Sequence, residues 1–183
     1  GELQTRTSTA ISAAINYLRK NRLQNGGWVP LWFGNQHAPD ETNVVYGTAC
    51  VVIALRELKN RGILFPPEML QDAIQLLARL QRPDGSWCSS IDAASPAPDH
   101  SPTGPSSTEE TALAVEALAG TAKVGASDRG ARWLIRQINS GEWMEPSPIG
   151  FYFARLWYFE KLYPLIFTAA ALGKVSRHLP PQH

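Results

Sequence analysis

Residues 81–87 read "QRPDGSW". The stretch follows an apolar helical segment, closes it with a Pro-Asp-Gly turn and ends on a tryptophan. The same arrangement occurs on both sides of it. Trp28, Trp87 and Trp143 lie 59 and 56 residues apart, each with a glycine two positions earlier, at Gly26, Gly85 and Gly141. Leu18, Leu77 and Leu134 precede their tryptophans by 10, 10 and 9 residues. Gln81 and Gln137 stand six residues before Trp87 and Trp143; in the first copy that slot holds Arg22, and Gln24 falls only four before Trp28. A repeat of this length means a two-helix unit that stacks on its neighbours, because one unit cannot bury its apolar face alone.

The segments between the turns supply the helices. Thr9–Lys20 carries Ile11, Ala14, Ile15 and Leu18 at helical spacing, with Ser8 or Thr9 as the cap. Gly47–Leu58 is apolar on most sides, which predicts an inner helix. Pro66–Leu80 is amphipathic, with Leu70, Ile74, Leu77 and Leu80 on one stripe, and so reads as outer. Thr108–Ala119 is again small and apolar, and Asp128–Ile138 again amphipathic. Phe151–Val175 predicts a long aromatic helix kinked or split at Pro164. The order is outer then inner, three times over, with no sustained period-2 run that predicts a strand. The expected organisation is one domain over 1–183, in units of about 9–60, 66–120 and 126–175.

Composition narrows the function. The chain has 183 residues, 44% of them hydrophobic, and 17 basic against 16 acidic residues leave a net charge of +1. That is enough length for a real core, and no basic field draws the chain to nucleic acid. No apolar run reaches the ~18 residues of a membrane span. The N-terminus lacks signal-peptide order, so a soluble chain is expected, with membrane contact left to another part of the parent. Cys50 and Cys88 lack metal spacing; Cys50, inside TACVVIAL, is expected as a buried thiol.

Gln, a spacer, Gly, any residue and Trp, after Tyr-Leu, Leu-Leu or Trp-Leu, resembles the QW repeat of the class II terpene cyclases, the squalene-hopene cyclases among them. GGWVPLWFGN...NVVYGT, with Trp28, Trp32, Asn43, Tyr46, Gly47 and Thr48, is similar to that family's Gly-x-Trp...Asn-Tyr-x-Tyr-Gly-Thr stretch, with an insertion. SSTEETALAVEAL (106–118) is similar to its Ser-Thr-x-x-Gln-Thr-Ala segment, with Glu110 where the family has Gln. GFYFARLWYFEKLYPLIFTAAALGKV (150–175) resembles its aromatic C-terminal helix. The resemblance implies an all-α fold, an α/α toroid whose three helical hairpins form about half of an α6–α6 barrel. It further implies the C-terminal part of a triterpene cyclase, an isomerase of the intramolecular-transferase kind, acting on squalene or a related polyprenoid without metal or organic cofactor. The parent is then expected at the cytoplasmic side of a membrane.

Carried over residue by residue, Tyr46, Trp87, Tyr152 and Phe159 match cavity aromatics, while Leu156 stands where another aromatic is expected. The pairs Gln24–Trp28, Gln81–Trp87 and Gln137–Trp143 match the repeat's structural role. The family's proton donor is the middle acid of Asp-x-Asp-Asp. Asp40, Asp72, Asp84, Asp92, Asp99 and Asp128 form no such cluster, so the acid belongs to a missing N-terminal half. Ser106-x-x-Glu109 and Ser107-x-x-Glu110 both fit a capping box, which favours capping over catalysis for the two glutamates. His37, His100, His178 and His183 lack partners at catalytic spacing, and 90–107 reads as a Pro-rich surface insertion.

Two other readings stand beside the cyclase. One is a non-catalytic α-toroid binding or scaffold module. The other is a different toroid enzyme: a protein prenyltransferase β-subunit, with Cys88, Asp99 and His100 as the nearest ligand types for zinc, or a carbohydrate-active enzyme using paired carboxylates. Inner-helix surface left open by a half barrel further predicts self-association.

Overall fold

Each tryptophan turn ends an outer helix, and the bonds that hold it set the architecture. The computed structural model describes residues 1–38, 40–88, 104–151 and 156–179. Its elements are α1 (Glu2–Lys20), β1 (Phe33–Asn35), α2 (Val44–Asn60), α3 (Pro67–Arg79), α4 (Thr108–Leu118), α5 (Val124–Ser140), a 3₁₀ turn (Glu142–Met144), β2 (Ile149–Phe151), β3 (Leu156–Tyr158) and α6 (Tyr163–Ser176). The helices α1, α3 and α5 are outer and α2, α4 and α6 inner, giving three hairpins of an α/α toroid. The middle inner helix, α4, packs against α2, α5 and α6, and every residue in it except Glu116 is buried.

The first two turns are built alike. The Trp28 indole N–H donates to the Leu18 carbonyl at 2.7 Å, and that of Trp87 to the Leu77 carbonyl at 2.7 Å. These leucines are the ones the register places ten residues upstream, and each carbonyl is among the last of its helix, where no intrahelical donor remains. The backbone N–H of Trp28 donates to Thr48 Oγ1 at 3.0 Å and that of Trp87 to Thr111 Oγ1 at 2.9 Å, tying each turn to the following inner helix. Asn25 and Asp84 each accept the N–H two residues on. Gly26 and Gly85 supply left-handed φ angles of +93° and +96°.

Neighbouring hairpins are joined from the slot six residues before the tryptophan. Gln81 donates to its own turn at Gly85 O (3.0 Å) and across to Ala126 O in α5 (2.9 Å), while Arg129 donates to its Oε1. In the first copy Arg22 does this work: it donates to Gly26 O (3.4 Å), Glu68 O (3.4 Å) and Asp72 Oδ2 (2.6 Å). The first-copy fastener is therefore Arg22 and not Gln24, because only the residue at the helix end reaches both the turn and the next outer helix. In the third copy Gly141 keeps its left-handed φ of +82°, but Trp143 and Gln137 are only half-buried and make no comparable bridge among the described residues. Thr168, at the place on α6 that matches Thr48 and Thr111, is buried with no hydrogen-bond partner among them.

Three expectations are corrected. Helix α1 begins at Glu2, and Thr9 lies inside it, its hydroxyl bonded back to Thr5 O at 3.0 Å. Residues 149–151 and 156–158 are strand and not helix: β1, β2 and β3 form an antiparallel sheet in that order, pairing Phe33 with Phe151, Gly34 with Gly150 and Gly150 with Trp157. Pairing with a distant strand overrides the local helical period, and glycine at 150 lets the Leu156 backbone approach closer than a side chain would permit. The last helix then starts at Tyr163, with Pro164 in its first turn, where a missing N–H costs nothing, so Pro164 starts a helix instead of kinking one. The stretch 90–107 lies outside the described residues except for 104–107.

No residue of α1 is buried, and Leu3, Tyr17, Ile135, Leu162 and Ile166 are exposed apolar groups toward the two ends of the arc. We expect light scattering on the purified chain to give a mass well above 20.1 kDa. A clean monomer at all concentrations would contradict this. No helix of the described residues is long and apolar enough to cross a membrane.

Candidate functional site

Where α2 and α6 begin, three separate segments bring aromatic rings together. Tyr46, in the first turn of α2, lies with its ring centroid 5.4 Å from Phe33 of β1 and 6.4 Å from Phe167 of α6, the latter edge-on. Phe167 in turn lies 5.2 Å from Tyr163, one helical turn earlier. These are the separations at which ring quadrupoles attract. Burial, then the neighbouring Cys50, Tyr163 and Tyr158, push the Tyr46 phenol well above the ordinary tyrosine range, so it stays neutral. Tyr158 is raised as well, by burial first and then by Tyr163 and Glu160.

Cys50, one turn beyond Tyr46, is reached by solvent, which corrects the expectation of a buried thiol. Protein still surrounds it on its other sides, and this burial, with the Glu116 carboxylate second, pushes the thiol up to about 11. Cys88 is the buried cysteine, held beside Arg82 and Gly104 O. Among the described residues no three His, Cys, Asp or Glu side chains gather as metal ligands.

The first turn of α4 carries two buried glutamates, one of them bonded to the segments that hold Phe33 and Tyr46. Glu109 and Glu110 are 1% and 2% exposed. Ser107 caps the helix by accepting the Glu110 N–H at 3.2 Å. The capping box is only half made, because the Ser107 N–H goes to Trp87 O instead. The freed carboxylates serve tertiary partners. Glu110 Oε1 accepts from Asn35 Nδ2 and Asn43 Nδ2, both at 2.8 Å. Glu109 accepts from the Ser147 N–H (2.8 Å) and from the Ser107 hydroxyl (3.2 Å). The helix N-terminus favours the negative charge.

Of the aromatic residues expected from the sequence, Tyr46 is in this cluster. Trp87 is fully buried at the hairpin junction, its indole N–H and backbone both engaged, which is the position of a core residue. Phe159 is 59% exposed, between β3 and α6. Tyr152, His100 and His183 lie outside the described residues. The sequence reading missed Phe33, Tyr163 and Phe167. The spacing of Tyr163 and Phe167, four apart on an inner helix, was a usable signal. Nothing local marked Phe33, whose strand exists only through its partner.

Within the 81–87 turn, the Asp84 carboxyl is held below its ordinary value of 3.8: burial raises it, but the Ser86 hydroxyl and N–H, Arg82 and the Trp133 indole outweigh that. A lowered folded-state value stabilises the fold above the unfolded value, and the contribution is lost as pH falls through the folded one. Resistance to urea should therefore fall as pH drops below about 4, and Asp84→Asn should blunt that acid loss. An unchanged acid limb in the variant would contradict the assignment.

Residues 2–177 match the model of the squalene-hopene cyclase C-terminal domain, and the chain belongs to that family. It is 31% identical to a squalene–hopene cyclase of Bradyrhizobium diazoefficiens over 170 residues, 87% of this chain and 24% of that protein. It is likewise 31% identical to a probable squalene–hopene cyclase of Sinorhizobium fredii over 171 residues, 88% of this chain and 24% of that one. The chain thus spans about a quarter of the length of these relatives. Its fold is similar to that of ent-copalyl diphosphate synthase from Streptomyces platensis, with a TM-score of 0.52 and 20% identity over 96% of this chain and 30% of the other. The chain is terpene-cyclase-like.

Proposed function

We propose that this chain is the C-terminal part of a triterpene cyclase acting on squalene or a related polyprenoid. The cluster of Tyr46, Phe33, Phe167 and Tyr163 is the observation that carries the reading. Its rings come from the first and third hairpins, and burial keeps the Tyr46 phenol neutral.

Acid-initiated cyclisation begins when a carboxylic acid protonates a terminal alkene. The carbocation then moves along the chain as each new C–C bond forms, and loss of a proton or capture of water ends the sequence. The sequence here contains no Asp-x-Asp-Asp, so the initiating proton comes from the N-terminal half of the barrel, the partner this segment requires. This half's share is the wall. A ring face close to a desolvated cation stabilises it by ~0.5–2 kcal/mol, and a closed apolar surface keeps water from quenching it early.

The test is to express the full-length protein containing this segment, supply squalene and look for polycyclic products by mass spectrometry. Tyr46→Ala should then lower turnover or release less cyclised products. No product across a panel of polyprenoids would overturn the reading. It would favour a non-catalytic toroid module, the role the chain's own lack of an acid cluster suggests when it acts alone.

A further inference from the structure

We infer that Glu110 is a positioning residue that fixes the Phe33–Tyr46 ring pair through a single carboxylate oxygen. The two rings hang from different elements: Phe33 from β1, Tyr46 from the first turn of α2. Each carries a buried asparagine close by in sequence, at Asn35 and Asn43. Both asparagine amide oxygens are committed to backbone. Asn35 Oδ1 accepts the His37 N–H at 2.9 Å, and Asn43 Oδ1 accepts the Tyr46 N–H at 2.9 Å as the N-cap of α2. That leaves both amide nitrogens aimed the same way, and both donate to Glu110 Oε1 at 2.8 Å.

Two donors converging on one buried oxygen fix the distance between the strand and the helix start. Glu110 itself cannot wander. Its backbone is pinned by the Ser107 cap, and the first turn of α4 is wholly buried. Hence the spacing of the rings, 5.4 Å between centroids, is set from the first turn of a third helix. Gln has the same acceptor oxygen at the same reach, whereas Ala has none. The bearing of this on cyclisation rests on the function proposed above; the positioning itself does not.

The test is therefore made on the chain without substrate. With ring-labelled tyrosine, the Tyr46 resonance is assigned by its loss in Tyr46→Phe, and that of the exposed Tyr17 serves as an internal control. Glu110→Ala should shift and broaden the Tyr46 signal while Tyr17 stays in place, and Glu110→Gln should restore the wild-type position. An unmoved Tyr46 signal in Glu110→Ala, or equal displacement in both variants, overturns the inference. If Glu110→Ala does not fold, Asn35→Ala removes one arm and leaves the α2 cap intact. It should move the Tyr46 signal, and an unmoved signal there overturns the inference as well. Absence of polyprenoid turnover would leave all these outcomes unaffected.

Discussion

Trp87→Ala is expected to lower the unfolding free energy by about 3–5 kcal/mol, read as a drop of roughly 10 °C or more in Tm. The side chain is wholly buried, and its removal opens a cavity where α3, α4 and α5 meet. It also strips the Leu77 carbonyl of its donor at a helix end with no other partner to offer. Gly130 shows how close the fit is: a methyl there would stand 2.7 Å from the Trp87 ring. The matched control is Trp143→Ala, which removes a half-buried indole that donates no hydrogen bond among the described residues and should cost under about 1 kcal/mol. Equal losses in the two variants would mean that the third turn is fastened like the second.

Gly85→Ala should cost about 2–5 kcal/mol for two separable reasons. Its φ of +96° strains any residue with a Cβ, which accounts for about 1–2 kcal/mol. The new carbon would also lie 2.8 Å from the Arg129 carbonyl oxygen, a backbone atom of α5 that moves only if the hairpin junction opens. Gly141→Ala isolates the first contribution, because its φ is similar at +82° but nothing lies within 4 Å of the added carbon. Urea midpoints of the two variants measure the difference. If Gly85→Ala is no worse than Gly141→Ala, the junction is softer than its geometry implies.

These paired variants show what was legible in the repeat. The register of Gly, Trp and the upstream Leu is written in sequence because each of the three acts within its own turn. The glycine makes a left-handed bend, the tryptophan buries its indole beside it, and the leucine offers a helix-end carbonyl ten residues away. The inner and outer helices were legible for the same reason, as the α4 segment shows: a small-residue run apolar on every side belongs where every side is covered. The Arg22 fastener was half legible. Its slot was known, but an arginine in place of glutamine declares its job only when Asp72 of the next hairpin stands opposite.

The candidate site was less visible. Tyr46 was found by resemblance, yet its companions come from β1 and α6, and nothing local to residues 33–35 asks for a strand. The glutamates read as caps because the capping box is a local pattern. Glu110 turned to Asn35 and Asn43 because the Ser107 N–H was already taken by Trp87 O, and Glu109 turned to Ser147, all residues far away in the chain.

The sequence by itself determined the three-hairpin toroid and the family, since helical period, turn chemistry and the tryptophan register all act within a few turns of chain. Only the tertiary structure decided the small sheet, the start of α6 at Tyr163 and the meeting of Phe33 with Tyr46 over Glu110. Each of these depends on groups far apart in sequence satisfying one another's hydrogen bonds, and such pairing leaves no mark in the local order of residues.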